Sequence, residues 1–574
     1  MMYGIEFGLV LVAVALAFAF PHLGSRWFEA GERALGRLAE RPRLAVVVAG
    51  LTALAARAVL LPILPVPEPA VHDEFSYLLA ADTFAHGRLS NPTHPLWIHF
   101  ETFHVLWHPT YASMFPPAQG LILAFGQAVL GHPFWGVWLS LGLMCAALCW
   151  MLQGWLPPRW ALLGGLLAVI RLATFSYWAN SYFGGAVAAT GGALVFGALP
   201  RLKQSPRLPD ALLLGLGLAI LANSRPYEGL VFSLPAGAAL LAWMFGKNRP
   251  PFRASLCRLV LPTGLLLGLV ALLMGYYFWR VTGNPWRMPQ QVNRETYAVA
   301  PYFLGQTPRP VPTYHHAVMQ DFYLTVELPQ YMATRSLGGV VWREGVKAAQ
   351  IWLFYVQPLF TLPLAMAIVV LPYGFSWHQI SPSTRFLLMA TGFGLAGYAL
   401  EAYYNPHYPA PGTCLVYALV LGAMRYVRSW RWRQKPVGLA ITRAIPLIGG
   451  ALLVLSAAGV PRLLPREAWP AIWKYPGFRM PDRARMLAQL EREPGCHLVI
   501  VRYSPAHDSR MEWVYNRADI DGSKVIWARN MGPAENRELL AYFKDRQVWV
   551  VDADDTPARL LPYGPRVAGH QGGR

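Results

Sequence analysis

Two adjacent carboxylates, Asp73 and Glu74, stand in Pro69-Ala-Val-His72-Asp73-Glu74-Phe75-Ser76-Tyr77-Leu78-Leu79, just past a long apolar run. A carboxylate there can meet a hydroxyl arriving from water and take its proton as a general base. A structural role is open too. Asp is a leading N-cap type, so Asp73 suits the start of a helix over 74–86, with Glu74 favouring the helix dipole. The two roles are compatible, because a capping Asp has a fixed position. His72, Asp73 and Glu74 are also candidate ligands for a divalent metal, and His86, His94, His99, His104 and His108 follow in the same segment. Their spacing matches no HExxH or paired-ligand pattern, and a segment rich in Trp, Tyr and Pro uses His for packing and hydrogen bonds as well. These residues require no cofactor.

Arg225 lies in Ala222-Asn-Ser-Arg225-Pro-Tyr-Glu228-Gly229, between two apolar runs. An arginine there needs a partner, either an arriving phosphate or Glu228 three residues on. Arg171, near the end of another apolar run, is a second phosphate candidate, and snorkelling explains it equally well. Ser176-Tyr-Trp-Ala-Asn180-Ser-Tyr182-Phe-Gly184 offers amide and aromatic groups, including Asn180 and Tyr182, for a sugar ring or for an interfacial aromatic belt. Glu401-Ala-Tyr403-Tyr404-Asn405-Pro406-His407-Tyr408-Pro409-Ala-Pro411 puts Glu401, His407 and Tyr408 in a proline-stiffened turn. A plain connection between two helices has no need of that set. With Tyr77 and Glu228, these are the candidate substrate contacts.

The elements that position them are membrane spans. The 574 residues are 55% hydrophobic and 14% charged, against roughly 25% charged in an ordinary soluble domain. That excludes a soluble enzyme, a disordered chain and a fibrous repeat. Twelve spans are expected near 5–21, 44–65, 133–153, 159–176, 185–199, 210–223, 229–246, 259–279, 347–372, 384–403, 410–427 and 444–460. Positive charge collects at Arg26–Arg43, Arg159, Arg201–Arg207, Lys247–Arg258 and Arg425–Arg443, on alternate connections, whereas the short opposite loops at 177–184, 223–228 and 403–409 carry only Arg225. This is the positive-inside pattern, so the net charge of +19 serves topology rather than nucleic acid. The apolar stretch Gly120–Leu130 would invert every later loop if it crossed, and reads as a juxtamembrane helix on the outside. Both the N-terminus and the tail are then expected outside, with an uncleaved first span.

The chain divides into 1–43, an extra N-terminal span and cytoplasmic loop; 44–460, the membrane module with outside loops 66–132 and 280–346; and 461–574, an extracytoplasmic α/β domain. The tail carries 18 Lys+Arg and 14 Asp+Glu in 114 residues and alternates helix, strand, strand, helix and strand at 481–492, 497–503, 524–529, 534–544 and 547–551. It has neither a GxGxxG after a strand nor a P-loop. Five cysteines, Cys145, Cys149, Cys257, Cys414 and Cys496, make no disulfide framework or metal knuckle. No internal repeat is visible.

Over roughly 44–430, Asp73-Glu74 with Phe75-Ser76-Tyr77 and Gly87-Arg88-Leu89, then Phe115-Pro116-Pro117-Ala118-Gln119-Gly120, Ser224-Arg225-Pro226-Tyr227-Glu228-Gly229 and His407-Tyr408-x-x-Pro411 resemble, in order, the GT-C superfamily of integral-membrane glycosyltransferases. The nearest branch is the protein O-mannosyltransferase and aminoarabinose-transferase group (glycosyltransferase family 39-like). The resemblance implies Asp73 as catalytic base, Glu74 supporting it or binding acceptor or metal, and Arg225 on the carrier phosphate. It implies an inverting transfer of a sugar from a polyprenyl-phosphate donor to a hydroxyl of a glycan, lipid or protein acceptor, at the outer face of a bacterial inner membrane. The chain departs from the group by its extra first span and by a tail that is not a β-trefoil. The run Glu512-Trp-Val-Tyr-Asn516-Arg-Ala-Asp519-Ile-Asp521 resembles a bacterial subgroup instead. A ligase or polymerase using lipid diphosphate donors is the alternative. A secondary transporter is disfavoured by the missing repeat and by ionisable residues gathered at one face.

Overall fold

The structure, a computed structural model, describes residues 2–247, 249–372, 376–459 and 480–564. It is a polytopic bundle of helices with a small sheet in the tail. In a bilayer each backbone amide must be satisfied within its own segment, so the apolar runs become helices. They are α1 (Met2–Ala19), α2 (Ser25–Ala39), α3 (Pro42–Val59), α4 (His72–Ala85), α5 (Pro117–Leu130), α6 (Phe134–Leu152), α7 (Pro158–Leu172), α8 (Gly185–Gln204), α9 (Leu208–Ala222) and α10 (Pro226–Phe245). Then come Phe252–Thr282, Leu337–Val369, Pro382–Ala399, Thr413–Arg428 and Val437–Ala457. Every expected span coincides with a helix, and among the described residues eight helices are long and apolar enough to cross a bilayer. The juxtamembrane helix α5 has 14 residues, short of the roughly 20 a crossing needs, and turns Leu121, Phe125 and Val129 outward.

Some boundaries differ from expectation. α3 stops at Val59 rather than near 65, because Pro62 and Pro65 deny helical backbone to the residues before them. The helix expected from 347 begins ten residues earlier, at Leu337, with Ser336 as its cap. α4 begins at His72 and its N-cap is the extended Val71, so Asp73 lies in the first turn and is not the cap. The boundary placed at 460/461 and the tail's last ten residues lie outside the described residues.

The bundle has two unlike ends. At one, Glu32 of α2 grips Arg428 at 2.9 Å and Arg443 at 3.0 Å, drawing the basic segments together. At the other stand α4, the turn 400–411 and the tail. Thr413–Arg428 runs between the ends, starting beside that turn and finishing at the basic cluster. Gly192 of α8 lets the turn seat closely: a Cβ there would lie 2.0 Å from the Pro411 carbonyl oxygen.

Two short strands before α5, β1 (Val105–Leu106) and β2 (Ala112–Ser113), pair antiparallel, and in the tail β3 (His497–Arg502) pairs in parallel with β4 (Val525–Arg529) and β5 (Gln547–Asp552), with β6 (Leu560–Pro562) antiparallel to β5, in the order β4-β3-β5-β6. Leu498, Val499, Ile500 and Val501 are all buried, as a strand covered on both faces requires. The segment 66–132, expected to be the first outside loop, provides one cover: Leu79, Leu96, Phe100, Val105 and Trp107 pack with Leu498, Ile500 and Ile526. Phe75 of α4 packs with Val499, Tyr515 and Trp527 on the other side. The tail is thereby built into the same end of the molecule as Asp73.

Candidate active site

The first turn of α4 sends its two carboxylates in different directions. Glu74 is 1% exposed; its Oε2 accepts the Ala70 N–H at 2.9 Å and its Oε1 the Tyr182 N–H at 3.0 Å. It therefore ties the approach to α4 to the 177–184 loop. Burial pushes its pKa up to about 7 despite those amides. Asp73 keeps 21% of its side chain exposed. Burial pushes its carboxyl up, yet His104, His72 and Arg225 together hold it below the usual 3.8. It is the acid of the pair that stays ionised and reachable, as a base must.

Arg225 shares the electrostatic neighbourhood of Asp73. Its guanidinium lies 4.4 Å over the Tyr408 ring, and its nearest described carboxylate, Glu228, is 3.8 Å away. Among the described residues it donates no hydrogen bond, which leaves an enclosed fork of donors for an anion. Tyr77 stacks on Phe115 at 4.4 Å and faces both Arg225 and Asp73. Glu401 is fully buried, and both of its oxygens, like Oε1 of Glu228, have no hydrogen-bond partner among the described residues. Burial, then the nearby Glu228 carboxylate, pushes the Glu401 pKa well up. Tyr302 of the second outside loop lies among Tyr408, Glu401 and Glu228. The result is a cluster, called the chamber below, of Arg225, tyrosine rings and carboxylate oxygens that have no hydrogen-bond partner among the described residues.

Other candidates have contacts of their own. Asn180 donates to the carbonyls of Thr174 (2.9 Å) and Ser176 (2.8 Å), and the Tyr182 hydroxyl donates to Pro67 O at 2.9 Å, so both hold their own loops in shape. His407 is buried with its Nδ1 3.0 Å from the Tyr177 hydroxyl. Arg171 lies 3.8 Å from Glu6 of α1 and 4.6 Å over Phe360, with its Nη2 lacking a hydrogen-bond partner among the described residues. His72, stacked on Phe103 and held neutral by burial with a pKa near 3, donates its Nε2–H to Ser509 O of the tail at 3.0 Å. His72, Asp73 and Glu74 thus diverge, and among the described residues no group of three or more His, Cys, Asp or Glu is arranged to hold a metal.

One neighbour was not legible beforehand as part of the site. His104 Nδ1 stands 2.7 Å from Asp73 Oδ1, at an angle short of an aligned hydrogen bond, with its own backbone at φ 59°. Only its residue type marked it, among several loop histidines. The second outside loop, expected to fold over the site, is pinned to the first: Tyr297 donates to Glu101 Oε1 at 2.7 Å, His315 Nδ1 is 2.9 Å from Oε2, and Tyr314 donates to the Tyr297 carbonyl at 2.7 Å.

No family model matches this chain, and no curated protein matches it. Solved structures do. An oligosaccharyltransferase of Archaeoglobus fulgidus, in complex with Zn and sulfate, is 12% identical with a TM-score of 0.47, over 88% of this chain and 67% of that one. ArnT from Cupriavidus metallidurans in the apo state is 12% identical with a TM-score of 0.47, over 89% of this chain and 93% of that one. The same protein bound to undecaprenyl phosphate gives 13%, a TM-score of 0.44 and the same coverage.

Proposed function

We propose that this chain is an inverting glycosyltransferase that moves a sugar from a polyprenyl-phosphate donor to an acceptor hydroxyl at the extracytoplasmic face. The observation that carries the reading is a partly exposed, ionised carboxylate, Asp73, within the electrostatic reach of Arg225, whose guanidinium has no hydrogen-bonded partner among the described residues. A phosphate-linked sugar already has a good leaving group and needs a positive clamp rather than a general acid. In the proposed step the acceptor oxygen attacks the anomeric carbon while its proton passes to Asp73. The bond from that carbon to the phosphate oxygen breaks, and its electron pair leaves on polyprenyl phosphate, whose new charge Arg225 takes up. Attack from the face opposite the phosphate inverts the centre, and one essential carboxylate suffices, unlike the pair a hydrolase commonly needs. The unpartnered oxygens of Glu401 and Glu228 suit the donor sugar's hydroxyls. Tyr77 and Tyr408 provide ring faces, while Glu74 holds α4 in place.

The polarity of the bundle supports an outward site. A basic cluster around Glu32 suits a cytoplasmic end under the positive-inside pattern, and Asp73 and Arg225 are at the other end. Glu6, early in α1, meets Arg171, late in α7, so α1 runs antiparallel to α7 and starts at the chamber end. The test is mass spectrometry of lipids that copurify with the wild type and with Arg225→Ala. A polyprenyl phosphate or its sugar ester enriched with the wild type and lost from the variant is expected. Equal lipid content in both refutes the assignment of the phosphate. Intact-mass analysis of product separates one added sugar from the many that a ligase or polymerase would add.

A further inference from the structure

Asp73 projects from the first turn of a helix with free rotation about its side-chain bonds, and a general base works only when held within hydrogen-bond reach of the proton it takes. Something must fix that carboxylate. Its one ion pair among the described residues is with His104, at 2.7 Å and 31 residues further along the chain. Two lone pairs would repel at that separation, so one partner carries a proton, although the ring stands at an angle short of an aligned hydrogen bond.

Several features show that this histidine is placed rather than merely packed. Its φ of 59° is a left-handed backbone that few side chains adopt, and such strain persists only where the surroundings impose it. Its carbonyl is gripped twice, by the Ser76 hydroxyl at 2.7 Å and by the Met114 N–H at 3.1 Å. Ser76 belongs to α4, so the helix that carries the carboxylate also holds the backbone of its partner. The His104 ring is boxed edge-on by His72 (5.5 Å), Phe115 (5.7 Å) and Phe322 of the second outside loop (6.3 Å). Just before it, Glu101 is clasped by Tyr297 and His315 of the second loop, and Arg529 of the tail donates to its carbonyl at 2.8 Å. Two loops and the tail thus converge on the segment that presents His104.

We propose that His104 is the positioning residue for Asp73: its Nδ1–H fixes one carboxylate oxygen and leaves the other to receive the acceptor's proton. This rests on Asp73 being the base. The charged and titratable groups facing Asp73 are His104 and His72 from either side, Arg225 before α10, Tyr77 on α4, Tyr408 on the late turn and Tyr515 of the tail, with Glu74 adjacent in the chain. His104 is the one among them in contact with the carboxylate, and it favours the ionised form.

The substitutions that test this separate side chain from backbone. His104→Gly keeps the left-handed backbone and removes the donor. His104→Asn tolerates the same backbone and keeps an N–H donor near the Nδ1 position. Both are made in the full-length chain, with Asp73 and with Asp73→Asn, in proteoliposomes holding an undecaprenyl-phosphate hexose, and release of undecaprenyl phosphate is followed. His104→Gly should lower kcat roughly 10- to 100-fold with KM within about twofold, as misplacement of a reacting group does. The acid limb of its rate profile should move to higher pH. His104→Asn should recover most of kcat, and neither change should matter once Asp73 is Asn. Wild-type kcat and acid limb in His104→Gly, or no rescue by Asn, overturns the proposal. If the wild type itself releases no phosphate, the function reading is what has failed. The apparent Tm of the same variants then decides the pair: Gly and Asn should differ by degrees in the Asp73 chain and coincide in the Asp73→Asn chain, and equal differences in both overturn it.

Discussion

Glu74→Gln isolates the cost of holding a buried carboxyl between two loops. Glu74 titrates near 7 in the folded chain against 4.5 when unfolded, because burial outweighs the two amides that it accepts. The sign follows from that order: a raised folded value means the native chain binds the proton more tightly. The associated stability is fully present below about pH 4.5 and is lost as pH rises through about 7. At 1.36 kcal/mol per pKa unit the loss comes to about 3 kcal/mol. Gln carries no charge at any pH, so this loss should vanish from the variant. Gln also keeps only one acceptor oxygen, and one of the amides of Ala70 and Tyr182 loses its partner, at about 1–3 kcal/mol. The variant should therefore unfold earlier than the wild type at pH 5, and the two should converge or cross by pH 8. Apparent Tm in detergent micelles, scanned from pH 4.5 to 8.5 at one heating rate, measures the difference curve, in which other titrating groups cancel. Parallel curves would refute the reasoning and place the Glu74 carboxyl in the ordinary range.

Asp73→Asn should cut transfer by about 10²- to 10⁴-fold, the usual weight of a general base, while polyprenyl phosphate still copurifies; loss of bound lipid would instead make Asp73 a binding group. Arg529→Ala strands Glu512, which is fully buried 2.6 Å from that guanidinium, and should cost about 3–5 kcal/mol with faster proteolysis of the tail; an unchanged cleavage rate argues against it. Gly192→Ala drives a methyl into the Pro411 carbonyl and should displace the turn that carries Tyr408, lowering both apparent Tm and transfer, whereas Gly422→Ala on the helix after that turn meets open space and should do neither.

Much of the fold was legible because a bilayer leaves few choices. Apolar runs had to be helices, and the alternation of Arg and Lys between them set a polarity that reappears as a basic cluster at one end and the chamber at the other. The tail's elements were equally readable, since β3 needs a run such as Leu498-Val-Ile-Val501 when both its faces are covered. Helix ends were less so. Asp73 looked like a cap from residue preference, yet the chain turns helical at His72, where Glu74 reaches back to the Ala70 amide and fastens the entry.

For the site, residue type identified the chargeable groups and was silent on which of them were already spoken for. The Asn180 amide N–H and the Tyr182 hydroxyl are spent on carbonyls, whereas Arg171 and Arg225 each stand 3.8 Å from a glutamate and the Glu401 oxygens have no hydrogen-bond partner among the described residues. Those outcomes depend on contacts across tens or hundreds of residues, such as Glu6 with Arg171 or Arg225 with Tyr408, which no local pattern encodes. His104 is the extreme case, because what distinguishes it from its neighbours is a backbone angle. A left-handed residue that is not glycine costs folding energy, and here the grip of Ser76 and Met114 on its carbonyl holds it in place. The positioning role proposed for His104 accounts for both the backbone angle and the 2.7 Å contact, and substituting Gly or Asn at the same angle is what separates it from coincidence.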